Sequence, residues 1–204
     1  MERQDNYALQ ARQARERFLR YDQTALIRKL HLQEEPEVLS VRFFGQNYQI
    51  SRSTGHIRRQ LRGQWVAADS FSETLTLLDL VCDSREDRFL SHRWKNMTSF
   101  GLMFHQNLLE QAKDPWAARF EADPEGFRNA CEALGGKPFP QGDIAYEIEV
   151  FDSLPIVVQL WFGDEEFPAN LRFLWDENAL MWIKYETMHY AKDLLLEYLA
   201  EHMD

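Results

Sequence analysis

The sequence predicts an α+β fold in which antiparallel β-meanders pack with an N-terminal helix, central helices and a long C-terminal helix. Three observations carry that expectation. Strand-like segments fall in two groups, 38–62 and 144–176, and do not alternate with helices as βαβ units do. Helical spacing of apolar residues fills 2–31, 69–82 and 177–203. Short turns carrying Gly45 or Gly55 join strand to strand. The 204 residues are expected to form a single α+β domain over 1–204. A chain of that size buries roughly 70% of the surface its unfolded form exposes, so it needs neither metal nor disulfide to fold.

Each element has its own signature. Residues 2–31 contain no Gly or Pro and are rich in Ala, Gln, Arg and Leu, all good helix formers. Asp22-Gln23-Thr24 offers a cap that splits this segment into two helices, and Glu34-Glu35-Pro36 ends it. In 38–62, Val41, Phe43, Tyr48 and Ile50 alternate with polar neighbours, and Ser53-Thr54-Gly55 forms the second turn. Residues 69–82 begin with a capping box, Ser70 to Glu73, and present Leu75, Leu77, Leu78, Leu80 and Val81 to a core. The region 69–134 forms a helical middle. It includes a long polar loop at 82–101, anchored by Phe89, Trp94 and Phe100, and helices at 101–113 and 123–134. Gly135-Gly136 stops the last of these. The segments "IAYEIEVFDSL", "PIVVQLWF" and "LRFLWD" read as three strands. The middle one is apolar almost throughout, as a central strand covered on both faces would be. Residues 177–203 close the chain as a helix.

Composition narrows the function classes. The net charge is −10 and the pI near 5.1, which disfavours nucleic acid and anionic lipid as partners. The basic run Arg52, His56, Arg58, Arg59, Arg62 reads as a solvated strand edge, charged against aggregation, with phosphate binding as the alternative where several of these side chains share a face. Cys82 and Cys131 stand far apart without CxxC spacing, so a cysteine-built zinc or iron–sulfur site is excluded and reduced thiols are expected. The first residues lack a signal-peptide core, and no run reaches the ~20 apolar residues of a membrane span. The expected location is cytoplasmic.

One stretch is distinctive. "FDSLPIVVQLWFGDEEFPANLRFLWDENALMWIKYE" (151–186) carries Leu-Pro, a hydrophobic strand, Gly-Asp-x-Glu-Phe-Pro-Ala, a strand ending in Asp, and a helix. Through Gly163, Asp164, Glu166, Phe167, Pro168, Ala169, Asp176 and Glu186 it resembles the bacterial and archaeal family catalogued as domain of unknown function 3786. "VRFFGQNYQISRSTGHI" is similar to the strand–turn–Tyr–strand start of that family, so the likeness covers most of residues 20–200. The resemblance implies an anaerobe, and a link to corrinoid or one-carbon metabolism through relatives that look fused to an iron–sulfur domain. It implies no activity, and the cofactor is unknown.

Candidate sites follow from residue types. Asp164, Glu165 and Glu166 sit at a hairpin mouth. They read as a turn in which Asp164 caps backbone N–H groups and Phe167 tucks into the core. Asp176 then caps the last helix. The functional alternatives are a ligand or partner contact, and a hard-cation site made of Asp164, Glu166 and Asp176. Glu186 and His189 share a helix face, but a di-iron bundle needs that motif twice, and no metal site is expected. His105, in "FGLMFHQNLLEQ", and His92 are candidate axial ligands for a tetrapyrrole. His92, Arg93 and Trp94 together offer an imidazole, a cation and a stacking face for an anionic or planar ligand. No P-loop, nucleophile elbow or dinucleotide fingerprint occurs.

The leading expectation is a non-catalytic module that binds a small molecule or a protein partner. Two alternatives remain open. One is an acid/base or metal-dependent enzyme using the carboxylates of 164–186, and the other is a tetrapyrrole or corrinoid carrier.

Overall fold

The computed structural model describes residues 2–100 and 114–203, with residues 2–5 as backbone alone. The predicted helix 101–113, and His105 with it, lies outside the described residues. The architecture is α+β, with two antiparallel sheets and helices before, between and after them. The chain divides into two compact units, Met1–Phe89 with Leu180–Leu194, and Leu90–Ala179 with Leu195–Asp204.

The first unit opens with α1 (Glu2–Arg20) and α2 (Gln23–Lys29). The break falls at the expected cap. Asp22 accepts from the amides of Thr24 and Ala25 at 3.0 and 3.1 Å, which satisfies two of the orphan donors at the start of α2. Strands β1 (Val38–Phe43), β2 (Gln46–Ser51), β3 (Ile57–Leu61) and β4 (Gln64–Ala67) follow as a meander in that order. The sheet thus has one strand more than the sequence reading. Arg62 and Gly63, at φ 49° and 80°, form a two-residue turn that opens β4. The reading of the Arg52–Arg62 run as a strand edge is corrected. Arg52 to Gly55 form a turn, and β3 pairs on both sides, with β2 and β4.

Helix α3 (Phe71–Asp83) starts as predicted. The Ser70 hydroxyl accepts from the Glu73 amide at 3.2 Å and donates to the Glu73 carboxylate at 2.8 Å. Leu77, Leu78, Leu80 and Val81 are buried, and so are Thr74, Thr76 and Asp79, so the helix is enclosed on more than its apolar stripe. Asp79 is compensated within the unit. Arg17 pairs with both Asp79 and Asp83, Thr187 donates to Asp79 at 2.7 Å, and Lys184 meets Asp83 at 2.6 Å. Tyr21 adds a hydroxyl donor to Asp83 at 2.8 Å. Buried charge is tolerated where each group finds opposite charge and hydrogen bonds. Cys82, a free cysteine, is buried, and its thiol is pushed up to about 12 by that burial.

In the second unit β5 (Trp94–Asn96) precedes α4 (Pro115–Ala122) and α5 (Pro124–Ala133). Each helix has proline at its first turn and aspartate before it. Asp114 accepts from the Trp116 amide at 3.0 Å and Asp123 from the Gly126 amide at 2.9 Å. Phe120 of α4 and Phe127 of α5 stack at 4.7 Å in the core. Then come β6 (Lys137–Pro138), β7 (Ile144–Phe151), β8 (Leu154–Trp161) and β9 (Asn170–Asp176). The sheet order is β5-β9-β8-β7-β6, with β8 at the centre as its apolar run requires. Every β8 residue from Leu154 to Leu160 is buried. At roughly 1.5–3 kcal/mol for each large apolar side chain, that strand is the main hydrophobic anchor of the unit.

Helix α6 (Tyr185–Met203) contributes its residues through Leu194 to the first unit and the rest to the second. It begins eight residues later than the predicted 177, after a 3-10 turn at Ala179–Met181. Among the described residues no helix is long and apolar enough to cross a membrane.

Candidate functional site

The eight residues between β8 and β9 fold into a turn held from three directions. The Phe162 amide donates to Asp143 at 2.7 Å and the Gly163 amide to Glu121 of α4 at 2.6 Å. Asp164 accepts from the amides of Glu166 and Phe167, both at 2.8 Å, the Asx turn that its position predicts. Glycine at 163 is required by space. A Cβ there would stand 2.9 Å from the Ala169 nitrogen and 3.1 Å from the Phe167 carbonyl oxygen.

Between this turn and α4 lies a cleft of about 540 Å³, lined by Asp114, Ala118, Glu121 and residues 163–169. Five of its lining residues are carboxylic acids, Asp114, Glu121, Asp164, Glu165 and Glu166, and none is basic. The amides of Phe167, first, and Glu166 hold the Asp164 carboxyl below the usual carboxylate range. Asp114 and Glu121 are engaged as helix cap and turn anchor, whereas Glu165 and Glu166 stand exposed.

Phe167 does not tuck into the core. It is 54% exposed, beside Phe162 at 42% and Trp161 at 37%. The Asx turn fixes the backbone at Glu166 and Phe167, and the ring projects outward. Trp161 carries the Arg172 guanidinium over its ring at 5.5 Å.

Asp176 belongs to a different arrangement. It sits at the far end of β9, roughly 20 Å along the strand from Asn170. It is buried and accepts four bonds. These come from the Ser91 amide (3.0 Å), the Ser91 hydroxyl (3.1 Å), the His92 amide (2.7 Å) and the Asn178 amide (2.8 Å). Its expected role as cap of the last helix is therefore corrected. Its oxygens bind the chain entering β5, and α6 starts nine residues later.

That chain carries the His92-Arg93-Trp94 candidate. His92 adopts φ 56° and is exposed. Arg93 pairs with Glu177 at 2.5 Å, which Lys95 also meets at 2.6 Å. Trp94 starts strand β5 and packs edge-on against Phe139 at 5.4 Å. The cation and the aromatic face that the sequence offers to a ligand are thus both engaged within the unit.

Glu186 lies in the first unit, exposed on α6, with Tyr185 edge-on to His189 at 5.1 Å. Burial, followed by the nearby Lys192 charge, lowers the His189 pKa. The carboxylates proposed for an enzyme site therefore divide. Asp164 and Glu166 share the cleft, Asp176 is a structural acceptor at the other end of β9, and Glu186 stands in the other unit. Among the described residues no group of three or more His, Cys, Asp or Glu is placed to hold a metal ion.

Sequence reasoning missed Asp114, Glu121 and Asp143. The Asp114-Pro115 pair signals a helix start, but nothing in the spacing says that α4 lies against the β8–β9 turn.

A protein-family model described as "Domain of unknown function (DUF3786)" matches residues 22–198, most of the chain. Comparison with curated proteins and with solved structures finds no match.

Proposed function

The chain belongs to the domain of unknown function 3786 family, and we propose that it is a cytoplasmic, non-catalytic binding module whose acidic cleft takes a basic segment of a protein partner. One observation carries the reading. Five acidic residues and no basic one line the cleft, beside three exposed aromatics at and next to the same turn, Trp161, Phe162 and Phe167. A phenyl ring left in water forfeits the roughly 1.5–3 kcal/mol that burying it would yield. A partner that covers Phe162 and Phe167 recovers that energy. The carboxylates select a lysine- or arginine-bearing segment and speed its approach. Glu165 and Glu166, whose exposed carboxylates take no part in the turn's own hydrogen bonds, are the charges available to it.

Zero-length carbodiimide coupling in a native extract tests this, because it joins lysine amines only to carboxylates in contact. Cross-linked peptides should map a partner's lysines to Glu165 or Glu166. Phe167→Ala should reduce the yield about tenfold, and Glu165→Lys with Glu166→Lys should abolish it. Links that map elsewhere, or a yield indifferent to both variants, defeat the proposal. The identity of the coupled protein then tests the connection to corrinoid or one-carbon metabolism.

A further inference from the structure

The four strands of the first unit turn one face inward and leave the other to solvent. Leu39, Val41, Phe43, Tyr48, Ile50 and Ile57 are buried. Their neighbours in register, Ser40, Asn47, Gln49, Arg58, Gln60 and Trp65, point the opposite way and are exposed or half-exposed. This face is not an ordinary charged surface. It is built of amides, hydroxyls and one indole, with Arg42 and Arg58 as its charges.

The amides are already ordered. Gln49 accepts from Arg58 Nε at 2.8 Å and donates to the Ser40 hydroxyl at 3.3 Å. Asn47 donates to Gln60 at 2.9 Å. That leaves Asn47 Oδ1, an acceptor, and Gln60 Nε2, a donor, without a partner among the described residues. Arg58 also lies over the Trp65 ring at 5.3 Å, which fixes an indole that is 39% exposed. Two hollows open here. One of about 540 Å³ is lined by Glu37, Gln49, Ser51, Arg52, His56 and Arg58, among others. The other, of about 370 Å³, is lined by Ser40, Arg42, Asn47 and Trp65.

We infer that this face binds a neutral polyhydroxylated ligand, a glycan laid flat across β2, β3 and β4. Each hydroxyl of a sugar both donates and accepts, which matches side-chain amides better than it matches charged groups. The indole supplies an amphipathic plate for the C–H face of one sugar ring. Single-stranded nucleic acid is the competing occupant, since it too uses aromatic stacking. It needs a positive track along its backbone, however. Here Arg58 is committed to Gln49 and Trp65, Arg42 donates to the Gly45 carbonyl, Arg52 donates to Gln23 and the Glu35 carbonyl, and His56 is paired with Asp69 at 2.8 Å.

The full chain, labelled with ¹⁵N, is titrated with cellohexaose, maltohexaose and N-acetylchitohexaose, and separately with a twelve-nucleotide oligothymidine. At about 1–10 mM, within the range of weak specific binding, at least one sugar should shift the side-chain signals of Asn47, Gln49, Gln60 and Trp65. Trp65→Ala should weaken that binding about tenfold or more. Gln49→Ala with Gln60→Ala should do the same, which guards against a Trp65 variant that merely loosens β4. Silence with all three sugars, shifts that survive both variants, or tighter binding of oligothymidine would overturn the inference.

Discussion

Asp176→Ala is expected to destabilise the second unit by about 3–5 kcal/mol, the largest effect of any single substitution proposed for that unit. The carboxylate is 1% exposed and accepts from three amides and a hydroxyl. Removing it strands donors that cannot all reach water, at about 1–3 kcal/mol for each buried one. Asp176→Asn should lose about half as much, because its single carbonyl oxygen still serves part of the set. Chemical denaturation measures the difference. Hydrogen exchange localises it, since the amides of Ser91 and His92 should lose protection before those of β8. A loss below about 1 kcal/mol for the alanine variant would mean that these donors find other partners.

The second large effect belongs to the first unit. Asp79→Ala leaves Arg17, Lys184 and Thr187 without their shared acceptor, and should cost about 2–4 kcal/mol. The figure is set below that of a fully enclosed pair because the Arg17 and Lys184 side chains are 30% and 49% exposed. Removing the charge leaves Asp83 alone to balance Arg17 and Lys184. Thr187→Val, which deletes only one donor, should cost about 1 kcal/mol by comparison. An Asp79→Ala protein as stable as the parent would show the network to be neutral.

Acid should act on the same cluster. Burial works to raise the Asp83 carboxyl, but Lys184, Tyr21 and Arg17 outweigh it and hold the group below its ordinary value. A carboxyl depressed in the folded state adds stability above its unfolded pKa, about 3.9. That contribution is lost as pH falls below this value through the lower, folded one. Tyr21 works at the other end. Burial and the Asp83 bond raise it to about 12, so its contribution is complete below about 10 and fades as pH rises from there. Unfolding of an Asp83→Asn variant followed across both limits should show a shallower acid-side slope than the parent.

Much of this fold was legible in the residues. Asp22 and Ser70 announced two helix starts because capping is local, set by atoms two or three residues apart. The all-apolar β8 declared a central strand because only a site covered on both faces tolerates such a run. What failed was long-range or directional. Phe167 looked like a core residue by composition, yet the turn around Asp164 faces it outward, and hydropathy says nothing of direction. Asp176 and Asn178 looked like a helix start, but the carboxylate answers to Ser91 and His92, some 85 residues earlier. β4 went unseen because its turn uses Arg62 in a left-handed conformation, where Asn or Asp would have been the usual signal. The acidic wall of the cleft was half legible. Residues 164–166 were visible as a cluster, while Asp114 and Glu121 join it only through the packing of α4.

The matched family span starts at residue 22, two residues beyond the end of α1. Yet Phe18 of that helix is wholly enclosed, and Arg17 neutralises Asp79 and Asp83. Anyone trimming the protein to the span that its kin share would remove a plug and a counter-ion together. The homology boundary and the folding boundary of this molecule are different lines, and the functional variants above belong on the longer piece.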